Sequence, residues 1–154
     1  MSTESLSSLH TLLTQAQAQR DTALRTLRQT EAAAQAAQGQ ADQLGHYRTE
    51  YHQRWTLRFR DSGTPELLQC YLGFAERLDQ AIAQQAGTLQ QALARVRQAA
   101  DQLLAREQRV AAVAKLIERR SAVARLAANR SEQRLMDESA ARFGSAARAM
   151  SAPL

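Results

Sequence analysis

The chain has 154 residues, 44% of them hydrophobic but only 5% aromatic, with a formal net charge of +5 and a calculated pI of about 10.3. Much of the apolar content is alanine, poor filling for a globular core and well suited to helices that approach closely. Cys70 has no cysteine partner, which excludes an internal disulfide, and neither a membrane span nor a secretory signal is expected from the apolar runs or from the opening MSTESLSSLH.

The first predicted element is a helix over residues 3–59. With Leu6 as position a of a heptad, the a series is Leu6, Leu13, Arg20, Leu27, Ala34, Ala41, Arg48 and Trp55. The d series is Leu9, Ala16, Ala23, Thr30, Ala37, Leu44, Tyr51 and Arg58. The period then breaks at Asp61-Ser62-Gly63-Thr64-Pro65. Thr64 suits an N-cap, Pro65 the first position of a new helix and Glu66 its first turn, so residues 60–64 are expected to form a turn.

A second helix is predicted over residues 65–142, ending near Gly144, with residues 145–154 as a flexible tail. With Leu68 as a, the series Leu68, Ala75, Ile82, Leu89, Val96, Leu103, Val110, Ile117 and Ala124 is apolar throughout. The expected fold class is therefore all-α, a long antiparallel two-helix coiled-coil hairpin with a C-terminal helical overhang, one domain spanning residues 1–154. Partners across the hairpin should have numbers summing to 126, which centres the turn on Gly63 and pairs Trp55 with Tyr71, Leu13 with Val113 and Leu9 with Ile117. One layer fits poorly, because Arg20 meets Arg106. Thr3 lies level with Val123, so the helix from Ala124 onward has no partner in the chain.

Catalytic chemistry finds no footing. His10, His46 and His52 have no metal-ligand spacing among themselves or with Cys70. No phosphate-binding glycine loop is present, and a two-helix rod offers no concave pocket. Neither a cofactor nor an enzymatic activity is expected. Residues 95–130 hold nine basic and three acidic side chains, a match for an acidic protein surface, nucleic acid or an anionic membrane, or simply a solvated face. The run Arg54-Trp55-Thr56-Leu57-Arg58-Phe59-Arg60 resembles a nucleic-acid or membrane-surface patch, but Trp55 falls on an a position and reads as core.

Two surface features remain. Near the turn, Leu44, Tyr51, Leu78 and Gln85 occupy d positions and Gln40, Tyr47, Phe74 and Ala81 occupy g positions. The g positions of both helices flank the same side of an antiparallel seam. Tyr47 and Phe74 therefore share one flank, where they either widen a narrow core or dock a partner. On the overhang, Leu126, Arg130, Gln133 and Asp137 recur at steps of four and three residues and form one stripe. That stripe is either solvated surface or a face that enters a groove or ring.

Three segments carry a family resemblance: Leu44-x-x-Tyr47-x-x-x-Tyr51, Tyr71-x-x-Phe74-x-x-x-Leu78-x-x-Ala81-Ile82 and Leu126-Ala127-x-Asn129-Arg130-x-x-Gln133-x-x-Met136-Asp137-Glu138. In order and spacing they resemble the flagellar export protein FliJ family, a small coiled-coil component of the flagellar type III export apparatus. The resemblance implies a likeness to the stalk (gamma) subunit of rotary ATPases. It further implies a cytoplasmic stalk, peripheral to the inner membrane, that links the hexameric export ATPase to the cytoplasmic domain of the export gate and handles escort chaperones. By the same resemblance, Gln40, Leu44, Tyr47, Tyr51, Phe74, Leu78, Ala81 and Gln85 correspond to an export-gate docking patch. Leu126, Asn129, Arg130, Gln133, Met136 and Asp137 become candidates for contact with the ATPase ring. The sequence departs from the family at Gln85, where histidine occurs, and at Ser139, where an aromatic often follows Asp-Glu. The expected state is a monomeric hairpin, with no nucleic-acid partner and no membrane insertion. A stalk of a virulence-type secretion system and a structural coiled-coil adaptor are the alternatives.

Overall fold

The computed structural model describes residues 3–153, and within them the chain forms two α-helices and no strand. Helix α1 spans Thr3–Asp61 and α2 spans Pro65–Met150. They pack against each other as an all-α hairpin. The connection is shorter than expected, residues 62–64, and it is held at both ends. The Ser62 amide donates to the Arg58 carbonyl at 3.1 Å, closing α1. The Leu67 amide donates to Thr64 Oγ1 at 3.3 Å, the N-cap bond that the sequence anticipates, and the Leu68 amide reaches the Thr64 carbonyl at 3.1 Å.

Gly63 serves this turn by leaving room, since no glycine among the described residues has a positive φ. A Cβ at Gly63 lies 3.2 Å from Phe59 Cδ1, so the side chain of α1 closes over the turn where only hydrogen fits comfortably. The same backbone fact corrects the far end of α2. Gly144 was expected to end the helix, but the helix continues to Met150. A glycine stop needs the left-handed conformation at that residue, and the Ser-Ala-Ala-Arg run that follows favours helix more than Gly144 opposes it. The helix ends just before Ala152, the residue that Pro153 biases away from helical angles. Residues 145–150, expected in a tail, are thus helical, and Leu154 lies outside the described residues.

The chain divides into two compact units. In the unit Gln19–Glu107, which contains the turn, the buried residues are Ala23, Ala34, Ala37, Leu78 and Ala99. Alanine on four of those five positions sets a narrow seam. In the unit formed by Met1–Ala18 and Gln108–Leu154, Leu9, Val113 and Ile117 make a small cluster with Leu12 and Leu13 packed against it. That cluster reproduces the predicted layers Leu9–Ile117 and Leu13–Val113.

The register holds in the unit Gln19–Glu107 too: Trp55 and Tyr71 meet with ring centroids 5.6 Å apart and planes tilted by 45°. The misfit layer resolves by avoidance. Arg20 turns to its neighbour Asp21 at 3.0 Å, and Arg106 donates to Gln19 at 3.0 Å, so the two guanidinium groups leave the seam in different directions. Among the predicted a and d positions named above, Arg48, Arg58, Leu68, Arg106 and Ala124 are exposed, Ala124 because it begins the stretch without a partner. Arg58 is level with Leu68 in this register, but its guanidinium lies over the Trp55 ring at 5.7 Å and leaves Leu68 uncovered.

Candidate functional site

The candidate patch of the unit Gln19–Glu107 is built on an aromatic ladder. Tyr47, Tyr51, Trp55 and Phe59 recur every four residues along α1, so each ring lies one turn from the next on the same side. Centroid separations along it are 6.3, 5.9 and 5.4 Å. Helix α2 adds Tyr71 and Phe74. Tyr71 contacts Tyr51, Trp55 and Phe59 at 5.7, 5.6 and 5.8 Å. Phe74 sits 4.4 Å from Tyr51 and 6.3 Å, edge-on, from Tyr47. Six of the seven aromatic residues therefore form one continuous cluster. Pairwise ring contacts of this kind add about 0.5–1.5 kcal/mol each beyond burial.

The eight patch residues divide by depth. Leu78 is buried at 7% exposure and belongs to the core. Leu44, Tyr51, Phe74, Ala81 and Gln85 are half-buried, and Gln40 and Tyr47 are exposed. Gln85 Nε2 donates to the Ala37 carbonyl and to Gln40 Oε1, both at 3.1 Å, tying the two helices at the edge of the patch. Tyr47 remains 47% exposed with one face against Phe74, an aromatic surface anchored from beneath. The structure thus brings all eight together, with Tyr51 and Phe74 serving both packing and surface.

The opposite flank of the same segment is chemically different. Arg48 Nε donates to Asp79 Oδ1 at 2.6 Å, and His52 Nδ1 shares a 2.6 Å hydrogen bond with the Tyr71 hydroxyl. These residues, with Thr49, Gln53, Ala75 and Leu78, line a shallow groove of about 340 Å³. Both groups of the ion pair are more than half exposed, so the pair adds little stability. Its effect is to make that flank polar and cross-linked while the Tyr47 flank stays aromatic. The sequence reading missed this asymmetry and the ladder; the four-residue spacing of the rings was the available signal.

The second candidate surface lies in the other unit. Near the start of α1, Arg120 donates to Ser5 Oγ at 3.0 Å; the side chain of Thr3, which the register sets level with Val123, lies outside the described residues. From there every described residue of 123–150 is exposed, a stretch of roughly 40 Å of helix. Leu126 is 57% and Met136 74% exposed, and Asn129, Arg130, Gln133 and Asp137 are exposed as well. Leu126, Arg130, Gln133 and Asp137 share one face, and Asn129 and Met136 fall on its adjoining edge. The basic side chains of residues 95–130 form no ion pairs among the described residues. The aromatic members of the Arg54–Arg60 run, Trp55 and Phe59, are half-buried in the cluster rather than presented outward.

No group of three or more residues able to hold a metal ion occurs among the described residues, and no described helix is long and apolar enough to cross a membrane. The fold is thus a helical hairpin with an aromatic flank in one unit and an uncovered helix in the other. Comparison with known families makes this specific: the chain matches the family described as Flagellar FliJ protein over residues 5–149 and belongs to it. That family is a component of flagellar protein export, which gives the chain an export-associated role. No curated protein matches the chain.

Proposed function

We propose that this protein is the stalk of the flagellar export apparatus, joining the hexameric export ATPase to the export gate and receiving escort chaperones. The observation that carries the reading is Tyr47, held half-exposed on Phe74 and Tyr51 on one flank only. Aromatic side chains anchored in this way supply large contact area at low entropic cost and are the usual hot spots of protein interfaces. The patch, in this reading, docks on the gate domain, as the resemblance to the family suggests. Leu126, Asn129, Arg130, Gln133, Met136 and Asp137, on the uncovered helix, are the candidates for contact with the ATPase ring.

In this role the hairpin hydrolyses nothing. It transmits the state of one partner to another by making contacts that differ between states, the requirement for any coupling. A two-helix element inside a six-fold ring meets its subunits unequally, which supplies such a difference. The experiment is a pull-down of the export ATPase and of the gate domain by the purified chain, with and without residues 124–154, and with Tyr47→Ala plus Phe74→Ala. The truncated chain is expected to keep gate binding and lose the ATPase. The double variant should keep its helicity and the ATPase while losing the gate and export. Gate binding that survives the double variant rejects the patch assignment.

A further inference from the structure

The helix 123–150 carries a second stripe, which shares Met136 with the candidate ring surface and continues from it to the end of the helix. Met136, Ala140, Phe143, Ala147 and Met150 recur at steps of four, three, four and three residues, the spacing of a coiled-coil seam. All five are exposed: Met136 by 74%, Phe143 by 78% and Met150 by 92%. Phe143 is also the one aromatic residue outside the cluster near the turn. Among the described residues nothing covers this stripe.

We infer that the stripe pairs, antiparallel, with the same stripe of a second copy of this chain. The sizes of the side chains select that partner and that direction. Parallel pairing stacks Phe143 on Phe143 and Ala147 on Ala147, so wide and narrow layers alternate along helices that must stay evenly spaced. In the antiparallel register with paired numbers summing to 283, Phe143 faces Ala140 and Met136 faces Ala147, large on small in each of these layers. Ser139, Gly144 and Ala146 flank the centre of the seam and leave the backbones free to approach. On one flank Asp137 of each copy stands about two residues (about 3 Å) out of level with Arg148 of the other, within reach of its long side chain. On the other flank the two Arg142 side chains stand level and extend outward.

Phe143 buries on the order of 150 Å², and the whole seam on both copies comes to about 1,000 Å², the low end for a specific interface. An area at that end of the range suits weak, reversible pairing.

Sedimentation of the full chain from micromolar to near-millimolar concentration tests the inference. The mass should rise from the 17.0 kDa of one chain toward twice that value. Phe143→Gln with Met150→Gln should shift the midpoint at least tenfold upward with circular dichroism unchanged, since both side chains are exposed. A mass that stays at one chain throughout assigns the stripe to some other partner and overturns the inference. So does a dimer indifferent to the two substitutions. Direction is read in a Cys70→Ser background: Met136→Cys with Ala147→Cys should cross-link two copies on oxidation, while Ala147→Cys alone should not. Rapid cross-linking by Ala147→Cys alone indicates parallel pairing and rejects the proposed register.

Discussion

Gly63 and Tyr47 show how single residues divide their work between shape and surface. Gly63 has an ordinary negative φ, so alanine fits its backbone. The only obstacle is the Phe59 ring, 3.2 Å from the new methyl group and itself half-exposed and free to move. Gly63→Ala should therefore change stability by less than about 1 kcal/mol in either direction, because relief of unfolded-chain entropy offsets the tight contact. It should shift the fluorescence of Trp55, whose ring lies 5.4 Å from Phe59. A loss well above that size in urea unfolding means that the turn depends on glycine geometry after all. Tyr47 and Phe74 separate in the same way. Tyr47→Ala, from a position 47% exposed, should cost about 1 kcal/mol or less. Phe74→Ala, removing the ring 4.4 Å from Tyr51, should cost about 1–3 kcal/mol. Gate binding measured on each single variant should fall for both, which distinguishes surface from support.

At the scale of the helices, the two units are stabilised by different means. In the unit with Leu9 and Val113, Ile117→Ala opens a space that two helices alone can close only partly. It should cost about 2–3 kcal/mol in denaturant unfolding. In the unit Gln19–Glu107, the sensitive change is the reverse one. Ala37 is 6% exposed and its carbonyl holds Gln85, so Ala37→Leu should cost about 1–3 kcal/mol by forcing the helices apart. Much of this was legible beforehand. The heptad series, the Thr64 cap and the register that pairs Trp55 with Tyr71 all follow from residue spacing, because a period of seven leaves few ways to bury its seam. The end of α2 was not legible, since a lone glycine marks a stop only if it takes a positive φ, and Gly144 does not. Nor was the depth of the patch: heptad letters set Leu78 and Tyr51 alike at d, yet Leu78 is buried and Tyr51 is not. Depth depends on what the larger rings beside each position leave uncovered.

For the molecule as a whole, the uncovered helix should be separable from the stability of the rest. Residues 123–150 are exposed throughout, so removing residues 124–154 should leave the urea midpoint unchanged while abolishing whatever that helix binds. A large drop in the midpoint means that the segment is covered in solution by contacts within the chain. Membership of the flagellar FliJ protein family supplies the setting for these surfaces.

The alanine seam has a mechanical side. Ala23, Ala34, Ala37 and Ala99 present nearly smooth walls to one another, and smooth walls resist axial creep far less than interlocked rings do. Register in the unit Gln19–Glu107 is accordingly pinned beside the turn by the aromatic cluster and only lightly gripped farther along. Backbone amides near Ala23 and Ala99 should exchange with deuterium faster than those around Tyr51 and Tyr71. Such a pair of helices yields by gliding instead of breaking when something pulls on it.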